Sequence, residues 1–177
     1  TSQDENYDLV VNFIDVFLTE NPFLLFVYRA HPREKIDNSI IQNAFKQAYR
    51  GMQIDYAVEK EKLDTGGAVR LALSMIEKSG ACVVNGDSFV PYDLSLGSTH
   101  FEANHAPILY GYQLDDTSRY GRIDHANGMI TAFREKGLAG PGIINAGVYV
   151  LPANLLDAFP LHQPFSLERD YFYNKTT

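Results

Sequence analysis

Strand-length apolar runs that alternate with segments of helical period constrain this chain more than any other feature. Phe23-Leu24-Leu25-Phe26-Val27-Tyr28 is one such run, stopped before Pro32, and Ala81-Cys82-Val83-Val84 is another, ended by the turn formers Asn85-Gly86-Asp87-Ser88. Between and around them, apolar residues recur at helical spacing from Leu9 to Leu18, from Ile36 to Phe45 and from Val69 to Ile76. Met52 to Val58 alternates like a strand. This rhythm predicts right-handed crossovers, a parallel first half of the sheet and helices on both faces.

The second half has a different texture. Ala106 to Leu114 reads as a strand, and Asn127-Gly128 between Gly121-Arg122-Ile123-Asp124 and Met129-Ile130-Thr131-Ala132-Phe133 is the strongest short-range hairpin signal. Ile143 to Leu151 is a further buried strand, and Pro152 to Phe159 is expected to form a short helix. The fold class is therefore α/β, with a mixed, mainly parallel sheet that is antiparallel at one side.

The 177 residues form one domain long enough to bury a core, and 45% hydrophobic with 21% charged residues is ordinary globular composition. A formal net charge of −7 argues against a nucleic-acid partner. No apolar run approaches a membrane span and no signal segment is evident, so a cytoplasmic location is expected. The single cysteine, Cys82, cannot form an internal disulfide, and inside a strand it reads as an inert thiol.

Several positions suit chemistry on phosphates or sugars. Asp87 follows a buried strand, and in open α/β sheets ligands bind at the strands' carboxyl edge. A carboxylate there suits Mg²⁺ shared with substrate phosphates, although taken alone the segment is simply a turn. Thr65-Gly66-Gly67-Ala68 opens a helix, where outward amides and bare main chain would admit an anion or a polar ligand edge; alone it is a tight turn, and neither a P-loop nor a Gly-x-Gly-x-x-Gly is present. Glu135-Lys136-Gly137 pairs an acceptor for hydroxyls with a cation for phosphate, and otherwise is a solvated strand end. Asn145 lies within an apolar run and needs partners, structural ones or sugar hydroxyls. Glu168 and Asp170 offer a second acid beside Asp87, or an acidic helix start. The five histidines show no metal-ligand spacing.

The order of these segments is more specific than any one of them. Lys62-Leu63-Asp64-Thr65-Gly66-Gly67-Ala68, Val84-Asn85-Gly86-Asp87-Ser88-Phe89, Asp116-Thr117-Ser118-Arg119-Tyr120-Gly121, Phe133-Arg134-Glu135-Lys136-Gly137, Ile144-Asn145-Ala146-Gly147-Val148-Tyr149 and Phe165-Ser166-Leu167-Glu168-Arg169-Asp170 together resemble the sugar-1-phosphate nucleotidyltransferases. Within that family the likeness is greatest to the D-glycero-D-manno-heptose 1-phosphate guanylyltransferase branch, and it covers Phe23 to Phe172.

The resemblance implies a three-layer, Rossmann-like domain of the GT-A-like kind. It implies transfer of a nucleotidyl group from a nucleoside triphosphate, GTP favoured, to a sugar 1-phosphate, heptose 1-phosphate favoured, with Mg²⁺ as cofactor and a role in lipopolysaccharide or capsule synthesis. Carried over by position, Gly66 and Gly67 would lie against the base, and Asp87 would hold the metal that bridges the nucleotide phosphates with Asp170 as second acid, in a register that leaves Glu168 as the alternative. Tyr120 and Gly121 would meet the sugar phosphate, Glu135 would hold sugar hydroxyls and Lys136 the sugar phosphate, Asp87 and Lys136 being the catalytic pair, and Asn145 and Gly147 would line the sugar pocket. A second copy of the chain, as a homo-oligomer, is the one protein partner expected.

Two departures accompany the likeness. The family's opening strand with its glycine-rich loop, and its C-terminal closing segment, have no counterpart in these 177 residues, which reads as a piece of a longer enzyme. Asp64 stands where the family usually has glycine. A catalytically inactive nucleotide-sugar-binding module and a metal-dependent glycosyltransferase are the alternative readings.

Overall fold

A computed structural model of the chain describes residues 24–29, 57–85, 88 and 93–175, the first of these segments and residue 94 as backbone. The helices expected before residue 22 and from 32 to 49, most of the strand expected at 52–58, and Asp87 itself lie outside the described residues. Ala57 and Val58 are described and belong to no strand.

The described chain runs β1 (Leu24–Arg29), α1 (Asp64–Leu73), β2 (Gly80–Asn85), α2 (Leu94–Asn104), β3 (Ile108–Leu114), β4 (Arg122–Ala126), β5 (Met129–Arg134) and β6 (Gly142–Pro152), and closes with a π-helix at Leu167–Phe172 and one further turn, Tyr173–Lys175. The strands form a single sheet ordered β1-β2-β6-β4-β5, with β3 also on β6.

The sheet corrects one expectation. Among the described strands only β1 and β2 run parallel; β2–β6, β3–β6, β4–β6 and β4–β5 are all antiparallel, so the sheet is mixed but not mainly parallel. A buried run such as Ala81–Val84 carries no mark of its neighbour's direction, because strands buried on both faces read as continuous apolar runs whichever way the neighbour points.

β2 and the second half of β6 are the centre of the domain. Along β2, Ala81 and Val83 face a core shared with Val69 and Leu73 of α1 and with Leu167 and Phe172 of the π-helix. Cys82 and Val84 face the opposite core, where Phe101 of α2 packs. The period-two alternation of side chains thus puts helices on both faces of the sheet, as expected. Gly80 is required by closeness: a Cβ there would stand 2.5 Å from the Phe101 ring and 2.7 Å from the Leu151 carbonyl.

α2 starts where the Asp93 side chain accepts the Ser95 N–H and ends with His105 in the left-handed region, its N–H donating to the Phe101 carbonyl at 2.7 Å. It packs through small residues, since a Cβ on Gly97 would collide with the Tyr110 hydroxyl, while Leu96 is exposed. The β4–β5 hairpin turns at Asn127 and Gly128, both at positive φ (52° and 78°), which is the type I′ geometry that the right-handed strand twist favours. The short helix expected from Pro152 to Phe159 is instead a run of tight turns, with Leu155 N–H donating to Pro152 and Phe159 N–H to Leu156.

Candidate active site

The site is organised by an interruption in the pairing of β6. On one edge β3 pairs with β6 at Gly142–Asn145 and again at Tyr149 and Val150, with a register shift between the two stretches. On the opposite edge β2 pairs at Val148–Pro152 and β4 pairs only at Ile143 and Ile144. Between them, at Asn145-Ala146-Gly147, neither β2 nor β4 pairs with β6. Gly147 takes φ +73°, and its N–H donates to its own strand's Asn145 Oδ1 at 2.9 Å.

The end of β2 closes one side of this gap. A Cβ on Gly147 would stand 2.4 Å from Ser88 Oγ and 2.8 Å from Asn85 Nδ2, so the residues on either side of the Gly86-Asp87 pair press directly on it. Glycine is needed here twice over, for the left-handed backbone and for the space.

The β4 side carries the hairpin loops. Gly121 stands one residue before the Arg122↔Ile144 pair, at the level of Asn145. A Cβ there would lie 3.1 Å from the Arg134 carbonyl and 3.9 Å from the Tyr173 hydroxyl. Tyr120 is about half exposed and its N–H donates to Thr117. Glu135 and Lys136 are exposed on the turn after β5, and Gly137 N–H donates to Ser118 O at 3.1 Å, which fastens that turn to the Thr117–Tyr120 turn. Burial, with the Glu135 charge adding to it, raises the Tyr173 phenol above its usual pKa. The structure therefore brings Tyr120, Gly121, Glu135 and Lys136 together at the base of one hairpin.

Arg122 fixes these loops. Its guanidinium donates to the buried Thr117 hydroxyl from Nη2 (2.7 Å) and Nε (3.0 Å), and Nη2 also lies within 3.2 Å of the Leu138, Ala139 and Gly140 carbonyls. Asp116 adds a second tie, accepting the Ser118 hydroxyl at 2.8 Å and the Ser118 and Gly140 N–H groups, and these bonds, the hydroxyl's first, hold its carboxyl below the usual range. Sequence reasoning passed over Arg122 because, besides the Thr117 hydroxyl, its partners are main-chain oxygens 16 to 18 residues away.

The third wall is the start of α1, and here an expectation is corrected. The Gly66 and Gly67 amides do not point outward: both donate to the Phe165 carbonyl, at 2.8 and 3.3 Å. A Cβ on Gly66 would lie 2.2 Å from the Phe165 ring, and one on Gly67 2.6 Å from the Gln163 carbonyl. The two glycines let the 163–165 segment lie on the helix. Asp64 occupies the left-handed region (φ 59°), which is the backbone demand that glycine meets without strain; its Oδ1 accepts Thr65 N–H and its Oδ2 lies 3.5 Å from Arg169 Nη2.

Asn145 is joined to this wall. Its Nδ2 donates to the Tyr149 hydroxyl at 2.7 Å, Tyr149 donates to Glu168 Oε1 at 3.2 Å, and Glu168 Oε2 accepts Thr65 Oγ1 at 3.0 Å. Burial and the Glu168 charge push the Tyr149 phenol far up, so it stays protonated. The partners that an amide in an apolar run requires are thus supplied by the protein itself.

Asp170 caps the π-helix: its Oδ2 accepts Ser166 N–H at 2.6 Å while Ser166 Oγ accepts Arg169 N–H, a reciprocal box. Among the described residues no group of three His, Cys, Asp or Glu side chains could hold a metal ion. No helix among them is long and apolar enough to cross a membrane.

In α/β sheets ligands bind at the crevice where the order of the strands breaks, and the unpaired stretch Asn145–Gly147 of β6 is the candidate position for one here. The chain belongs to the nucleotidyl transferase family, whose profile matches residues 21–168. It is 32% identical over 162 residues to D-glycero-alpha-D-manno-heptose 1-phosphate guanylyltransferase of Campylobacter jejuni, a match covering 85% of this chain and 71% of that one. The enzyme of the same name from Aneurinibacillus thermoaerophilus is 27% identical over 164 residues, covering 87% and 71%. Among solved structures, HddC from Yersinia pseudotuberculosis complexed with GMP-PN superposes with a TM-score of 0.68 at 26% identity, over 94% of this chain and 70% of that one.

Proposed function

We propose that this protein transfers a guanylyl group from GTP to a sugar 1-phosphate, with heptose 1-phosphate as the preferred acceptor, giving a nucleotide sugar and pyrophosphate. The observation that carries the reading is the gap at Asn145–Gly147, bounded by the end of β2, the loops around Arg122 and the start of α1. The heptose guanylyltransferase relatives and the fold shared with a nucleotide-bound neighbour support it.

In this reading an oxygen of the sugar phosphate attacks the α-phosphorus in line, forming a new P–O bond as the α–β bridging bond breaks and pyrophosphate leaves. The protein's work in such a transfer is to align two anions and to neutralise charge. Lys136 takes the sugar phosphate, with the Tyr120-Gly121 main chain beside it. Glu135 accepts sugar hydroxyls, and Asn145 and Gly147 line the sugar pocket. The first turn of α1 abuts the nucleotide, with Gly66 and Gly67 holding the 163–165 segment behind it. Mg²⁺ needs only one or two carboxylates when phosphates complete its shell, so Asp87 suffices as the protein ligand, and the ion would screen the triphosphate charge.

Pyrophosphate release from GTP, measured with heptose 1-phosphate, mannose 1-phosphate and no acceptor, tests the proposal. Acceptor-dependent release greatest with the heptose supports it; binding of a nucleotide sugar without any release would favour the inactive module instead.

A further inference from the structure

We propose that Glu168 is a positioning residue that locks the nucleotide wall and the sugar pocket into one arrangement; the inference rests on the proposed nucleotidyl transfer for its kinetic consequence. Glu168 is half-buried, and among the described residues its carboxylate is bound by hydroxyls alone: Tyr149 on Oε1 at 3.2 Å, Thr65 and Ser166 on Oε2 at 3.0 and 3.1 Å. The ion pairs seen among the described residues are Arg70–Asp157, Arg134–Asp124 and Arg169–Asp64, and none involves Glu168.

The carboxylate gives the whole network a direction. An ionised carboxylate only accepts, so each hydroxyl must spend its single proton on it. Tyr149 then has only lone pairs left for Asn145, which must present its Nδ2 to the ring hydroxyl and its Oδ1 to Gly147 N–H, as observed at 2.7 and 2.9 Å. The amide orientation of Asn145 is thereby set from Glu168, through Tyr149, without direct contact. Among the described residues the second Nδ2 hydrogen has no acceptor, so Asn145 offers the sugar pocket a donor, which suits an oxygen of the acceptor. On the other side Thr65, committed to Glu168, takes Leu167 N–H at 2.9 Å and pins the first turn of α1 to the π-helix. Thr65 and Glu168 are 103 positions apart in sequence, so the carboxylate joins walls that the chain brings in from opposite ends.

Three variants separate this role from a general loss of fold. Glu168→Gln should raise KM for GTP and for the sugar 1-phosphate, each by about tenfold, the effect of one lost hydrogen bond to a charged group. Tyr149→Phe should raise it for the sugar 1-phosphate alone, Thr65→Val for GTP alone, and Thr65→Ser should restore the wild-type value. The Asn145 side-chain amide resonance, identified by its loss in Asn145→Asp, should move in Glu168→Gln and in Tyr149→Phe whether or not the protein turns over. An amide signal unmoved in both variants would overturn the inference, as would a Glu168→Gln enzyme with both KM values unchanged. A moved signal in a protein that releases no pyrophosphate would uphold the positioning role and defeat the proposed reaction.

Discussion

Arg122 reaches back five residues to Thr117, which is fully buried, and sets two guanidinium nitrogens on its hydroxyl while spreading one of them over three consecutive carbonyls. The loops that present Tyr120 and Lys136 owe their shape to this one fan of donors. A planar guanidinium can supply it and a lysine ammonium cannot. Arg122→Lys should therefore raise KM for the sugar 1-phosphate several-fold with KM for GTP unchanged, and steady-state kinetics with each substrate varied in turn checks this.

Gly147→Ala combines a left-handed backbone with a side-chain collision against Ser88 and Asn85. The expected cost is about 2 kcal/mol, read from urea unfolding. Where folded protein is recovered, binding of the sugar 1-phosphate should be lost, because the Cβ occupies the floor of the gap.

Asp170 is bound to the π-helix start, so Asp170→Ala should destabilise the fold by about 1 kcal/mol, the usual worth of a helix cap. Its dependence on Mg²⁺ should match that of the wild type. A raised Mg²⁺ requirement at unchanged stability would place Asp170 on the metal instead.

Cys82 is wholly buried in β2, and burial pushes its thiol up to about 12. It stays neutral and shielded below that pH, so a thiol reagent at pH 8 should leave the native protein unlabelled and label it once in denaturant.

What could be read in advance follows from how local each signal is. β2, β6 and the hairpin at Asn127-Gly128 are written in contiguous residues, and β1 is found where Phe23–Tyr28 placed it. α2 was missed because Leu94–Asn104 has no apolar stripe: Gly97 and Ser98 give it its close approach to the sheet, and smallness leaves no periodic trace. Tyr120, Gly121, Glu135 and Lys136 were named from the family resemblance, and the hairpin brings them near one another. The ties that shape the site were not legible, since Arg122 with main-chain oxygens and Glu168 with Thr65 depend on how distant segments meet. Gly66-Gly67 shows the converse, a motif read as open to a ligand whose amides the fold already uses.

Asp87→Asn tests the account most directly, with pyrophosphate release followed from GTP, heptose 1-phosphate and Mg²⁺. The variant keeps size and shape and removes only the charge proposed to hold the cation. Turnover should fall by at least about a thousandfold, roughly 4 kcal/mol of transition-state stabilisation, with the melting temperature held. An enzyme that still turns over at near the wild-type rate would contradict the claim that the acid after β2 organises the transfer.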